Sequence, residues 1–402
     1  MKFNLNIIAS SLVLSVGVLM SAGMNAQAAD KFKIGFITDM SGPYADAEGK
    51  NGALAIQMAI DDFGGKVLGM PIELLSADHQ NKPDITSAKV REWIDTDGIT
   101  LVFGGTNSGT ALAAASVAQE KKRVYINNGA GSSVLTNAQC SPYTVHYAYD
   151  TVAQAKGTAT AVLEQGGKSW YFLTADYAFG QALEADTTAV IKAKGGQVLG
   201  SVKHPLNASD FSSFLLQAQG SKAQVLGMAN ASTDTMNAVK AAQEFGINKT
   251  MKVAGLLVFI TDIHALGLKS TQGMLMTVSW YWDLNDETRK FAARFFEKAK
   301  RMPTAIQAAD YSATMNYLKA VEKAKTADAD TVMGVWKGMK MKDFYGSGQI
   351  RADGSYIHDM YLVSVKTPEE SVKPWDYFKV VKKLPGDEIF TVKSESKCAL
   401  WK

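Results

Sequence analysis

Short apolar runs alternate with helical patterns along most of this chain, and that alternation limits its fold more than any other feature. KIGFIT (Lys33–Thr38), PIELLSAD (Pro71–Asp78), ITLVFGG (Ile99–Gly105) and RVYINNG (Arg123–Gly129) read as strands. Between them lie a helix marked by Leu54, Met58 and Ile60, one opened by Pro83-Asp84 and carrying Val90 and Trp93, and an alanine-rich third. Continuously apolar strands joined by amphipathic helices predict a parallel sheet covered on both faces.

The pattern then starts again. TVHYAYD (Thr144–Asp150), WYFLTAD (Trp170–Asp176), GQVLGSV (Gly196–Val202), AQVLGMA (Ala223–Ala229) and MKVAGLL (Met251–Leu257) form a second series. After GMLMTVSWYWD (Gly273–Asp283) come three helices, marked by Phe291/Phe295, Tyr311/Met315/Leu318 and Val332/Trp336. DMYLVSVK (Asp359–Lys366) and an irregular tail close the chain. Two α/β lobes with elements left over at the end require the chain to cross between them more than once. The expected division is residues 31–147 plus 282–352 for the first lobe, and 148–281 plus 353–402 for the second.

Residues 1–28 read as a secretory signal peptide. Lys2 precedes an apolar stretch, Ile7–Met20, and Ala26-Gln27-Ala28 supplies a small-x-small cleavage pattern. The stretch is shorter than the ~20 residues a membrane helix needs, so cleavage near Ala28 and export are expected. Lys and Arg number 42 against 39 Asp and Glu, without clustering, which argues against nucleic acid as a partner. In an exported protein the two cysteines, Cys140 and Cys398, are expected to form a disulfide.

Catalytic apparatus is not visible. The loop after Thr38 and the stretch Gly104–Gly109 lack G-x-G-x-x-G spacing, and neither a P-loop nor G-x-S-x-G occurs. The five histidines are scattered singly, so neither a metal nor a cofactor is expected. Binding loops are visible. Ser41–Tyr44, Gly105-Thr106-Asn107-Ser108 and Asn128-Gly129-Ala130-Gly131-Ser132-Ser133 all follow strands of the first lobe. Ligands of parallel sheets sit outside the carboxyl ends of strands. Glycines there admit a ligand to the backbone, and free N–H groups at helix starts favour an anion. Each loop alone would pass as a turn with an N-cap; three on one lobe point to a site. Tyr44, Phe179 and Trp280 are candidates to flank an apolar ligand body.

Several stretches resemble a known family: KIGFITDMSGPYADAEGKNGALAIQMAIDDFGG, GGTNSGTALAAASVAQEKKRVYINNGAGSSVLT, DYAFG and FSSFLLQAQGSKAQVLGMAN. In this order they are similar to the periplasmic solute-binding proteins of ABC importers, in the leucine/isoleucine/valine-binding branch. The resemblance implies an α/β fold of two doubly wound parallel-sheet lobes joined by a three-crossover hinge, the type I architecture. It implies a monomer in the periplasm that closes on one solute and hands it to a membrane permease. It places ligand loops at Gly105–Ser108, Asn128–Ser132, Phe179, Ala231–Ser232 and Leu256–Val258, which includes Leu257. Amino-acid binders carry an acidic residue in the last loop for the ligand's ammonium; here Gly255–Phe259 is apolar, and Gly131 stands where threonine is common. An unpaired buried ammonium is costly, so an aromatic carboxylate is expected. Asp46, Asp176 or Asp262 folding into the pocket would favour a branched-chain amino acid instead. A ligand-sensing protein and a degenerate α/β enzyme are the readings from other classes.

Overall fold

The computed structural model describes Met1 and residues 30–401; the cleavage pattern at Ala26–Ala28 lies outside the described residues. The first lobe is built on six strands. β1 (Phe32–Thr38), β2 (Lys66–Val67), β3 (Met70–Asp78), β4 (Leu101–Phe103), β5 (Val124–Asn127) and β6 (Thr144–His146) stand in the order β2-β3-β1-β4-β5-β6. All neighbours are parallel except the β2–β3 hairpin. Helices α1 (Gly49–Phe63), α2 (Pro83–Glu92) and α3 (Ser108–Glu120) make the connections. Every residue of β4, β5 and β6 is buried, as a sheet covered on both faces demands. The winding direction reverses between β1 and β4. The carboxyl ends of these two strands therefore diverge around a crevice.

From β6 the chain runs through α4 (Thr151–Gln154), a π-helical turn (Ala155–Ala159) and α5 (Thr160–Glu164) into the second lobe. There β7 (Ser169–Ala175), α6 (Ala178–Ala193), β8 (Gln197–His204), α7 (Ser212–Gly220), β9 (Val225–Ala229), α8 (Ser232–Glu244) and β10 (Lys252–Gly255) build a parallel sheet ordered β10-β9-β7-β8. Its reversal lies between β7 and β9, so each lobe offers one crevice.

Helices α9 (Ile260–Leu266) and α10 (Leu268–Thr271) lead to β11 (Leu275–Val278). The chain then returns through α11 (Asp286–Ala299), α12 (Ala305–Ala324) and α13 (Ala329–Lys337); α12 lies along α1, and α13 against α12. A small antiparallel sheet follows: β12 (Met341–Lys342), β13 (Ser347–Ile350) and β14 (Tyr356–Ile357). Last come β15 (Met360–Val365), antiparallel to β11, and β16 (Phe378–Leu384), antiparallel to β15. One continuous apolar core reaches from Phe36 on β1 to Phe172 on β7 and Met360 on β15.

Three expectations change. Within Thr144–Asp150 only the first three residues are strand, and they complete the first sheet rather than open the second. Within Gly273–Asp283 only β11 is strand, and it pairs antiparallel outside the parallel sheet. The tail read as irregular contains β16, whose residues after Phe378 are mostly exposed; an exposed strand gives no burial pattern to read. The Cys140–Cys398 bond is present, with Cα atoms 5.6 Å apart across a sequence separation of 258.

Candidate functional site

The turn after β1 is organised by one carboxylate. Asp39 Oδ1 accepts the Gly42 N–H at 2.6 Å, and Oδ2 accepts the Tyr44 N–H at 2.9 Å and Asn81 Nδ2 at 2.8 Å. A Cβ at Gly42 would lie 2.8 Å from both Asp39 oxygens, so the turn requires glycine there. It delivers Tyr44 into the cleft. After β4, Gly104 and Gly105 adopt φ of 120° and 105°, a region glycine enters freely. Tyr125 donates its hydroxyl to the Gly104 carbonyl at 2.7 Å and occupies the space a Gly105 Cβ would need. Asn107 caps α3, its Oδ1 accepting the Gly109 N–H at 2.8 Å. Thr106 is left at the rim of the crevice.

The loop after β5 is folded by Asn127, whose Nδ2 donates to the Ala130 carbonyl at 2.7 Å and whose Oδ1 accepts the Ala130 N–H at 3.2 Å. Gly129 and Gly131 therefore face the cleft, and Tyr149 donates to the Gly129 carbonyl at 2.8 Å. A Cβ on Gly131 would sit 3.0 Å from the Phe179 ring and 3.2 Å from Tyr149. A side chain at position 131 would therefore compete with the Phe179 ring for space.

From the second lobe, Tyr177 and Phe179 stand at the start of α6, Ala231 just ahead of α8, and Leu257 and Phe259 after β10. The Tyr44 and Tyr177 hydroxyls are hydrogen-bonded across the cleft, and Thr233 Oγ1 donates to the Pro43 carbonyl at 3.2 Å. Between the lobes lies a narrow cavity. Tyr44, Thr106, Gly129, Gly131, Phe179, Ala231 and Leu257 line it, all expected from the sequence, and so do Ala47, Tyr177, Phe259 and Ile306. No charged side chain is among these lining residues. The polar groups of the lining side chains are the hydroxyls of Tyr44, Thr106 and Tyr177.

Other candidates are elsewhere. Ser108 Oγ accepts the Ser132 N–H at 3.2 Å and Ser132 Oγ accepts the Val134 N–H at 3.4 Å, so these hydroxyls tie the two loops together. Gly105, Asn107, Asn128, Ala130 and Ser232 are buried but are not lining residues. Val258 and Trp280 face a small adjoining chamber, separated from the central cavity by Leu257 and Phe259, which line both. Within that chamber the Trp280 indole donates to the Phe344 carbonyl at 3.2 Å and packs edge-on against Phe291.

None of the three acids held in question reaches the cavity lining. Asp46 pairs with Arg301 at 2.6 Å, and Asp176 with Lys203 at 3.2 Å. Asp262 accepts the Phe259 N–H at 2.9 Å; burial pushes its carboxyl up to about 7, against the lowering effect of that bond. Two acids not anticipated from sequence do lie close behind the site. Glu48, just ahead of α1, and Asp310, on α12, are fully buried, and Asn128 Nδ2 donates to Asp310 at 2.7 Å. Burial pushes Glu48 up to about 8, with Asp39 raising it further and a Thr38 hydrogen bond opposing; Asp310 is raised by burial and then by Glu48. An acid ahead of a helix and another inside one, 262 positions later, carry no sequence signal of meeting.

Residues 31–370 match the family described as Periplasmic binding protein. A periplasmic binding protein from Burkholderia mallei, known from its crystal structure, is 64% identical, superposes with a TM-score of 0.92, and is matched over 93% of this chain and 100% of its own. A branched chain amino acid ABC transporter periplasmic ligand-binding protein from Burkholderia xenovorans LB400 is 39% identical, with a TM-score of 0.82 over 92% and 100% of the two chains. A solute binding protein of an ABC transporter from Rhodopseudomonas palustris BisB5, in complex with 3,4-dihydroxy benzoic acid, shares the fold at 24% identity, TM-score 0.80, over 89% and 98%. Two wound lobes, a cleft at both switch points and a match over most of the chain agree: this protein belongs to the periplasmic binding proteins, the solute-binding components of ABC transporters.

Proposed function

We propose that this protein is a monomeric periplasmic receptor for a small aromatic carboxylate, which it passes to the permease of an ABC importer without altering it. One observation carries the choice of ligand. The cavity lining is aromatic and aliphatic, supplies hydroxyls, and includes no carboxylate to neutralise an ammonium. Thr106 and the loop backbone at Gly129 and Gly131 would meet the ligand carboxylate, and Phe179 and Phe259 would flank its ring. Offset aromatic packing adds about 0.5–1.5 kcal/mol per pair, whereas an amino acid would bury an ammonium with no charged partner, a cost of several kcal/mol.

The second reading, a branched-chain amino acid, is favoured by the description of the Burkholderia xenovorans relative. A thermal-shift screen of benzoates and cinnamates against leucine, isoleucine and valine separates the two. A ligand at a hundred times its Kd stabilises the folded state by about 2.7 kcal/mol. Saturable stabilisation by aromatic acids is the expected result; stabilisation by the amino acids alone sinks the aromatic assignment. Recovery of a chemically changed ligand after long incubation would overturn the receptor reading in favour of an enzyme.

A further inference from the structure

Thr106, the hydroxyl residue at the rim of the cavity, is not free to rotate as it likes. Its Oγ1 lies 3.2 Å from Thr38 Oγ1, and Thr38 Oγ1 is in turn hydrogen-bonded to Glu48 Oε2. Thr38 and Glu48 are fully buried, so bulk solvent does not reach their side chains. Each threonine has one proton to give. The direction of every bond is therefore set from the Glu48 end.

An ionised Glu48 only accepts. Thr38 must then donate to it, Thr106 must donate to Thr38, and Thr106 turns its lone pairs toward the cavity. A Glu48 protonated on Oε2 donates to Thr38, which donates to Thr106, and the Thr106 proton is released for a ligand. We propose that Glu48 is a positioning residue that couples carboxylate binding to its own protonation: the cavity holds an anion most tightly when Glu48 is neutral. This rests on the reading of Thr106 as a carboxylate contact.

The surroundings favour the neutral form. Asp310 on α12 and Asp39 on the β1–α1 turn face Glu48, as do the Tyr125 and Tyr149 hydroxyls, and among the described residues no cation opposes them. Both tyrosine hydroxyls are committed to backbone carbonyls, of Gly104 and Gly129. Glu48 Oε1 and Asp310 Oδ2 are buried without a hydrogen-bond partner. A point 2.7 Å from Asp310 Oδ2 and 2.9 Å from Glu48 Cγ is where a Cβ on Gly52 would stand, so only glycine leaves the two acids room. Glu48 Oε2 is the oxygen that faces Thr38, so a proton held on it stands where Thr38 can accept it.

The test is calorimetric titration of the full-length protein with benzoate, ionised throughout pH 6–9.5. Wild-type affinity should fall above a midpoint near 8, the value to which Glu48 is raised, approaching about tenfold per pH unit. Glu48→Gln, whose amide donates permanently, and Thr38→Val, which cuts the chain, should both bind with a flat profile. Thr38→Val serves alone if Glu48→Gln does not fold. A flat wild-type profile, or a slope that survives in Thr38→Val, overturns the coupling while leaving the ligand reading intact. No binding of benzoate at any pH defeats the aromatic-acid reading; leucine over pH 6–8.5 then takes its place as probe, and failure of that too removes the coupling with the carboxylate contact.

Discussion

Replacing Gly131 by alanine should weaken ligand binding more than it weakens the ligand-free protein. The added methyl would stand 3.0 Å and 3.3 Å from two carbons of the Phe179 ring and 3.2 Å from Tyr149. Gly131 has no left-handed backbone, so alanine brings no conformational penalty of its own. The ring must give by a few tenths of an ångström, and overpacking of this kind costs about 1–2 kcal/mol. Gly131 follows β5 in the first lobe, and Phe179 begins α6 in the second. The Phe179 contact therefore exists only when the lobes are together, and opening the cleft relieves it, whereas Tyr149, held to the Gly129 carbonyl, stays beside position 131. Titration calorimetry with benzoate should show the Kd rising by about 5–30-fold, with the ligand-free melting temperature lowered less than the ligand-bound one. Phe179→Leu removes the obstructing ring, so the double variant Gly131→Ala/Phe179→Leu should lose less affinity than the two single losses added. Additive losses, or a ligand-free protein destabilised as much as the bound one, would refute the argument.

Small-angle scattering should show compaction on adding saturating ligand, since contacts from both lobes stabilise only the closed form; an unchanged radius of gyration would count against a hinge. Cys140→Ser/Cys398→Ser should lower the melting temperature. Loop-closure entropy over a separation of 258 gives a ceiling of about 5.6 kcal/mol. Other tail anchors survive, among them Arg351 Nη1 donating to the Thr391 carbonyl at 2.7 Å and Lys156 pairing with Glu395 at 3.3 Å. We therefore expect a drop of roughly 2–6 °C, and a variant melting with the wild type would show that those anchors suffice.

The lobes were legible because buried parallel strands announce themselves by apolar continuity, and β1, β7 and β9 fall within a few residues of their expected bounds. The loops that line the cavity were legible as glycine clusters at strand ends. What each hydroxyl does was not. Thr106 and Ser108 look alike in sequence, yet Thr106 faces the cavity while Ser108 turns inward to the Ser132 amide. Trp280 sits in an aromatic run that suggested a ligand platform, but its neighbours Phe291 and Phe344 come from later segments that no local pattern connects to it. Glu48 lies in a stretch with Asp46 and Lys50 that looks solvated; only the return of α12 along α1 buries it.

The cystine also imposes an order of events. Cys398 lies 258 positions beyond Cys140, so everything between them must emerge before the ring can close. The five strands of the first sheet that precede Cys140, β1 to β5, can assemble with no covalent help. Oxidation then comes as a final seal, fixing a tail that follows the second lobe's last strand to a loop of the first. Until Cys398 has been made, Cys140 has no second cysteine in the chain to pair with.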